Sequence, residues 1–230
     1  MNSFSLNTEV ITNIFHSAKP LGHHEKRGNA NLGFGFLYYG TVRALRPKHI
    51  LVIGSGFGCS VVCLALGLKD NGKGRLTFID PSYDVLKNGP LKTVGGRGVW
   101  DKPEEVEKHF RLFGVNEIVT HHKLTAGEFF PRFKALGLPA IDIAFVDGNH
   151  SYKNVKYDFM SVLKNTKKNA YIFLHDTNIY VRELVRNAGV KRWLGIIKQE
   201  TGYFEVIDFP FSSGVAIVRL LKDDAWKFLK

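Results

Sequence analysis

Two short polar segments carry residue types that do chemistry. One is Asp147-Gly148-Asn149-His150-Ser151-Tyr152, and the other is His175-Asp176-Thr177-Asn178. Each follows an apolar, strand-like run, IDIAFV at 141–146 and AYIFL at 170–174. Asp147 and Asp176, brought to one cleft, suit a hard divalent cation such as Mg²⁺, which takes oxygen ligands and keeps waters. An imidazole beside them titrates near neutral pH and can accept a proton. Capping is the competing use: Asn149 or Ser151 for the next helix, Asp176 or Asn178 for the one after. His150 and His175 also have the commoner reading of hydrogen-bonded packing residues.

A third segment is Gly54-Ser55-Gly56-Phe57-Gly58, after the buried-type run HILVI at 49–53. Glycines let the backbone approach a ligand, and the helix that follows offers unpaired N–H groups. The dinucleotide fingerprint G-x-G-x-x-G needs a glycine at 59, where Cys59 stands, which disfavours a nicotinamide or flavin. Asp80 closes the next strand, 75–79, where a carboxylate accepts hydrogen bonds from ribose hydroxyls. The order strand, glycine turn, helix, strand, Asp points to a nucleoside-bearing cofactor.

The elements that must position these groups alternate. Strands are expected at 49–53, 75–79, 117–121, 141–146 and 170–174, with helices between them. Strands at 203–209 and 215–221 are joined by a short link that favours an antiparallel hairpin. This pattern predicts an α/β fold, a Rossmann-like doubly wound sheet of seven strands, mostly parallel with a C-terminal antiparallel hairpin. Residues 10–45 read as helices broken near Pro20-Leu21-Gly22 and at Gly28, Gly33 and Gly35. Residues 88–100, rich in Gly and Lys, read as an extended loop. A helix opens at Asp101 or Lys102, a short one covers 128–136, and 179–198 is mostly helical. One domain absorbs the chain, with a helical cap at 1–48, the core at 49–221 and a tail at 222–230.

Composition fits a soluble globular protein: 230 residues, net charge +11, 44% hydrophobic and 23% charged. It excludes a disordered polyelectrolyte. No apolar run approaches the roughly 18–20 residues of a membrane helix. No secretory signal is evident, so a cytoplasmic location is expected. Cys59 and Cys63, four apart on a helix, read as small core residues. The basic excess is mostly solvated surface. Its local concentration is Arg182, Arg186, Lys191, Arg192 and Lys198 against Glu183.

With these motifs in place, the chain from about 49 to 221 resembles the class I S-adenosylmethionine-dependent methyltransferases. The resemblance implies that Gly54, Ser55, Gly56 and Gly58 lie against the cofactor. It implies that Asp80 holds the ribose, that Ile79 and Pro81 form apolar walls, and that Thr125 and Ala126 lie near the adenine. The runs DGNHSYKNVKYDF and FLHDT are similar to a subgroup with macrocin-type sugar O-methyltransferases and cephalosporin hydroxylase-like proteins. Its metal-dependent members bind Mg²⁺ through an Asp after strand four and an acidic pair after strand five. Asp147 and Asp176 match; Asn149 and His175 stand where the subgroup has acids. The implied metal set is Asp147, Asp176 and His175, for Mg²⁺ or Mn²⁺, with His150 or His175 as the base and His150 preferred.

The implied reaction is methyl transfer to a hydroxyl of a small molecule or glycan. A nucleic-acid methyltransferase and a non-catalytic cofactor-binding protein are the alternatives, and a homo-oligomer is compatible with the sequence. Trp100, Tyr180 and Trp193 are candidates to stack on an acceptor, and Lys87, Lys92 and Arg97 to attract an anionic one. His23, His24 and Glu25 line the cleft if the amino-terminal segment folds over it.

Overall fold

One row of the central sheet decides where the functional groups emerge. Ile79 of β2 (Arg75–Ile79) pairs with Ile53 of β1 (His49–Ile53). Ile53 pairs with Val146 of β6 (Ile141–Val146), and Val146 with Leu174 of β7 (Thr166–His175). The next residues along these four parallel strands are Asp80, Gly54, Asp147 and His175. In-register parallel strands therefore deliver the glycine turn and the three polar side chains to one sheet edge.

The computed structural model describes residues 4–83, 85–88, 91–94, 98–178 and 189–228, with residues 85–88 and 91–94 as backbone only. The seven-stranded sheet runs β5-β2-β1-β6-β7-β9-β8, with β5 at Val119–His122, β8 at Phe204–Phe209 and β9 at Val215–Leu220. The first five strands of that order are parallel, and β9 runs antiparallel to both β7 and β8. This is the expected mixed sheet with its closing hairpin. His175 pairs with Val215, which draws the Pro210–Gly214 link over the end of β7.

Apolar side chains fill both faces of the sheet. One face carries α3 (Cys59–Asn71), itself covered by α2 (Phe34–Leu45). Val42 packs so tightly on Gly67 that a β-carbon there would lie 2.7 Å from it. Cys59 and Cys63 are buried free thiols in this layer, as their spacing suggested. The other face is covered by α6 (Tyr152–Leu163) and α7 (Gly189–Gln199), around Phe159 and Trp193. At the amino terminus, α1 (Thr8–Asn13) widens into a π-helical turn at Ile14–Ala18, and Gly35 lies within α2 instead of breaking it.

Residues 88–100 do not form the single extended loop expected. Val85–Asn88 (β3) and Leu91–Val94 (β4) pair antiparallel as a separate two-stranded ribbon. The β-formers Val85, Leu86, Thr93 and Val94 supply strand propensity that the neighbouring Gly and Lys masked. Two smaller differences lie nearby. The helix expected at 128–136 is one turn, α5 (Ala126–Phe129), followed by a 3₁₀ turn at Phe130–Arg132. The helix at Asp101 or Lys102 is α4 (Pro103–Leu112), with proline in its first turn, where the missing N–H costs nothing.

Candidate active site

The edge row opens into a cleft of about 920 Å³. Its floor is the glycine turn. Gly54 has φ +69°, and a β-carbon there would lie 2.5 Å from the Asp147 carbonyl oxygen. The backbone is thus held close where β1 and β6 end, with Asp147 N–H donating to Ile53 O at 2.8 Å. Gly56, also at positive φ, has open space where a side chain would go. The Trp100 indole N–H donates to Gly56 O at 3.0 Å and braces the turn from behind.

Asp80 stands beside that turn. Burial pushes its carboxyl up to about 6, against hydrogen bonds from the Ser82 and Ser55 N–H groups. The group is ionised at neutral pH. Gly54, Ser55, Gly56, Asp80, Pro81, Thr125 and Ala126 all line the cleft. The Ser55 hydroxyl is turned to Ser60 at 2.6 Å, so Ser55 offers its backbone to the cleft. Thr125 caps α5 in a reciprocal box with Glu128. Gly58 is not among the residues lining the cleft. It backs onto Trp100 and His109, where a β-carbon would lie 2.8 Å from the Trp100 ring.

At the ends of β6 and β7 the two polar segments meet. Asp147 Oδ1 receives His175 Nδ1 at 3.0 Å and His150 Nε2 at 3.2 Å. Asp176 faces the same rings, with Oδ1 3.2 Å from His175 Nδ1 and Oδ2 3.0 Å from His150 Nδ1. Asp176 adopts φ +61°, a left-handed conformation that turns its carboxylate back toward the histidines. One ligand atom each from Asp147, His175 and Asp176 lies within 4.8 Å of the others, close enough to share a metal ion.

Burial opposes a charge on His175, but the Asp147 and Asp176 carboxylates outweigh it and raise its pKa to about 9. Burial lifts the Asp176 carboxyl, against the pull of His175. His23, whose ring centroid lies 4.4 Å from that of His175, is driven the other way. Burial first, then the His175 charge, lowers it to about 3 and keeps it neutral, with Nδ1 2.9 Å from the Tyr38 hydroxyl.

The amino-terminal segment brings His23 to the cleft, whereas His24 and Glu25 are not among the residues lining it. One participant escaped the sequence reading. Ser213, from the hairpin link, reaches His175 Nε2 at 3.1 Å and donates to Gly22 O at 2.6 Å. No local motif marks it; only the β7–β9 pairing brings it there. Ser151 takes the capping role for α6, and Asn149 Oδ1 accepts from Ser151 N–H at 3.0 Å in the turn before it.

Other candidates do not reach the cleft. Trp100 is fully buried and stacked on Phe110, with ring centroids 5.5 Å apart. Trp193 is buried against Phe159 and Tyr152. Both are core residues, not acceptor platforms. In the basic run, Arg192 lies over the Tyr152 ring and Lys198 pairs with Asp208 at 2.5 Å. Tyr180, Arg182, Glu183, Arg186, Arg97 and the side chains of Lys87 and Lys92 lie outside the described residues. Among the described residues no helix is long and apolar enough to cross a membrane.

The family model described as a methyltransferase domain matches residues 51–177, more than half of the chain and the whole row of site residues. The chain belongs to this methyltransferase-domain family. No curated protein matches it. Among solved structures, the methyltransferase is similar to the O-methyltransferase TomG from Streptomyces achromogenes, involved in tomaymycin synthesis and solved with SAM. The TM-score is 0.63 at 17% identity, over 96% of this chain and 91% of that one. An O-methyltransferase from Bacillus cereus in complex with SAH gives 0.62 at 16% identity, over 96% and 92%. The SAH-bound methyltransferase PaMTH1 from Podospora anserina gives 0.59 at 17% identity, over 96% and 88%. At these identities the likeness carries the fold, which is that of the class I S-adenosylmethionine-dependent methyltransferases.

Proposed function

We propose that the protein transfers the methyl group of S-adenosylmethionine to a hydroxyl of a small molecule or sugar. The observation that carries this reading is one cleft shared by two kinds of group. The Gly54–Gly56 backbone and Asp80 suit a nucleoside, while Asp147, His150, His175 and Asp176 suit an ionisable hydroxyl. The SAM and SAH found in similarly folded proteins support the donor, and the O-methyltransferases among them support the acceptor atom. The subgroup with macrocin-type sugar O-methyltransferases is the finer family reading, resting on the motif after β6.

Asp80 holds the ribose hydroxyls, and the glycine turn lies against the donor. Methyl transfer is a direct displacement, so the protein's task is alignment and removal of the acceptor proton. His150 is the residue placed to take it. Its side chain is 15% exposed against 6% for His175. Asp176 Oδ2 holds its Nδ1–H, which leaves Nε2 to turn from Asp147 Oδ1 to the acceptor oxygen. His175 has both ring nitrogens engaged and serves to hold Asp147 and Asp176 in place.

The donor set fits a divalent cation. Ser213 receives the His175 Nε2–H, so loss of the Nδ1 proton leaves a lone pair facing both carboxylates. Asp147, Asp176 and His175 would hold Mg²⁺ or Mn²⁺, which would supply charge stabilisation to an acceptor alkoxide.

The deciding experiment has two stages. Calorimetry compares S-adenosylmethionine with NADH, and micromolar binding of the first alone is expected. A panel of sugars, phenols and nucleic acids is then incubated with labelled donor, with and without Mg²⁺ or Mn²⁺. Tight NADH binding without sulfonium binding overturns the donor, and label on a polymer alone overturns the acceptor class.

A further inference from the structure

The amino-terminal cap delivers one imidazole to the cleft and pins it at both backbone groups. His23 N–H donates to Glu25 Oε2 at 2.8 Å, and His23 O accepts from Phe34 N–H at 2.7 Å. Gly33 crosses so close, at φ +55°, that a β-carbon there would lie 2.0 Å from His23 O. His23 is only 5% exposed. Its Nδ1 lies 2.9 Å from the hydroxyl of Tyr38, a fully buried residue whose ring meets Phe145 and Phe173 edge-on.

That hydrogen bond has one satisfactory direction. Among the described residues the Tyr38 hydroxyl has no other hydrogen-bond partner, so its proton goes to His23 Nδ1. The reverse arrangement would leave a buried O–H unpaired. Nδ1 is therefore the acceptor, and Nε2 carries the ring proton. Nε2 makes no hydrogen bond among the described residues, yet it is not one of the unpartnered polar atoms sealed from solvent. Its N–H thus opens onto the cleft that His23 lines.

The neighbours of this N–H belong to the acceptor side. The His23 ring lies against that of His175, with centroids 4.4 Å apart, and His175 Nδ1 shares Asp147 Oδ1 with His150 Nε2. Two imidazoles flank the His175–Asp147 pair with different capacities. His150 is the one placed to take a proton, whereas the single lone pair of His23 is occupied by Tyr38, so His23 can only donate. We propose that His23, oriented by Tyr38, holds the acceptor oxygen through Nε2–H while His150 removes its proton. The contact strengthens as the oxygen ionises, because hydrogen bonds to charged groups are the stronger ones, and it restricts the direction from which the oxygen meets the sulfonium methyl. The inference rests on the reading of this cleft as a site of methyl transfer to a hydroxyl.

The test uses para-nitrophenol, whose ionised form absorbs visible light, as a hydroxyl probe on the full chain saturated with S-adenosylhomocysteine. In nitrogen NMR of the histidine rings, wild-type His23 should show the Nε2–H tautomer, and that signal should move when the probe is added. The double variant His23→Phe, Tyr38→Phe replaces the pair with apolar rings and leaves neither buried partner unpaired, so it is tolerated better than either single loss. It should bind S-adenosylhomocysteine within a few-fold of wild type and the nitrophenolate about 10-fold more weakly or worse. Tyr38→Phe alone should show both His23 tautomers and an intermediate loss. An Nδ1–H tautomer in the wild type, or no binding of the probe by protein that holds S-adenosylhomocysteine, overturns the inference even if the double variant fails to fold. Unchanged probe affinity in a folded double variant overturns it as well, and in each of these cases the donor reading survives. No binding of S-adenosylhomocysteine at all overturns the donor reading and this inference together.

Discussion

Ser213 Oγ stands 3.1 Å from His175 Nε2, on the side of the ring away from Asp147. The Ser213 hydroxyl gives its own hydrogen to Gly22 O at 2.6 Å, so toward His175 Nε2, 3.1 Å away, it presents a lone pair. Nε2–H thus points to Ser213 while Nδ1–H is turned to Asp147 and Asp176. Ser213 lies 38 residues from His175 and 191 from Gly22 along the chain. It thus ties the amino-terminal cap, the last hairpin and the end of β7 into one hydrogen-bonded chain.

Ser213→Ala should release that constraint. Metal ligands that lose such an outer partner typically lose about 10- to 100-fold in affinity, and Mn²⁺ titration should show a loss of that size. Nitrogen NMR of the histidine rings should show the His175 Nε2–H signal shifted by loss of its acceptor, with Nδ1–H unchanged. Folding stability should fall by about 2 kcal/mol, because the hydrogen bonds to Gly22 O and to His175 Nε2 are both lost.

Asp147→Asn keeps the side-chain shape and removes a charge that both His150 and His175 face. It should abolish divalent-ion stimulation of methyl transfer while leaving S-adenosylhomocysteine affinity within a few-fold. Full turnover by wild-type protein in excess chelator would refute the metal arm and leave His150 as the sole activator of the hydroxyl.

Asp80 should make donor binding pH-dependent. Its carboxyl, pushed up to about 6 by burial, must be ionised to accept from both ribose hydroxyls. Affinity for S-adenosylhomocysteine should be flat above pH 7 and fall by about tenfold per unit well below pH 6. For folding the sign is opposite. The folded pKa lies above the unfolded carboxylate value, so the native state binds more protons between about pH 4 and 6, and this group's contribution to stability declines as pH rises through that window. Asp80→Asn should flatten both profiles.

Gly54→Ala should be strongly destabilising. The new methyl group would lie 2.5 Å from the Asp147 carbonyl oxygen, at a backbone φ of +69° that L-residues avoid. A loss of about 2 kcal/mol or more is expected from strain and displacement of β6 from β1. Thermal unfolding measures it. Gly56→Ala, with open space at its β-carbon, should cost less stability and weaken donor binding instead.

Much of the fold was legible in the linear chain. Runs such as HILVI and IDIAFV are buried on both faces of a parallel sheet, so nearly every position in them is apolar and their strand character is unmistakable. The final hairpin followed from two β-rich runs joined by a short link. The ribbon at 85–94 was not legible, because its strand-forming residues are diluted by Gly and Lys and nothing in the neighbouring sheet recruits it. Trp100 and Trp193 were ambiguous because a large aromatic ring serves core and binding site equally well.

At the site, the chain alone determined residue type and the strand end on which each residue sits. Gly54, Asp80, Asp147 and His175 follow strands, and a parallel sheet sends those ends to one edge. What only the tertiary structure decided is what each group faces. Register set Asp147 against His175, the hairpin brought Ser213 to the far nitrogen, and the amino-terminal cap added His23. Asp158 drew no reading from the sequence; the packing of α6 buried it. Local periodicity specifies elements, whereas hydrogen bonds between residues far apart in sequence depend on a packing that no short window contains.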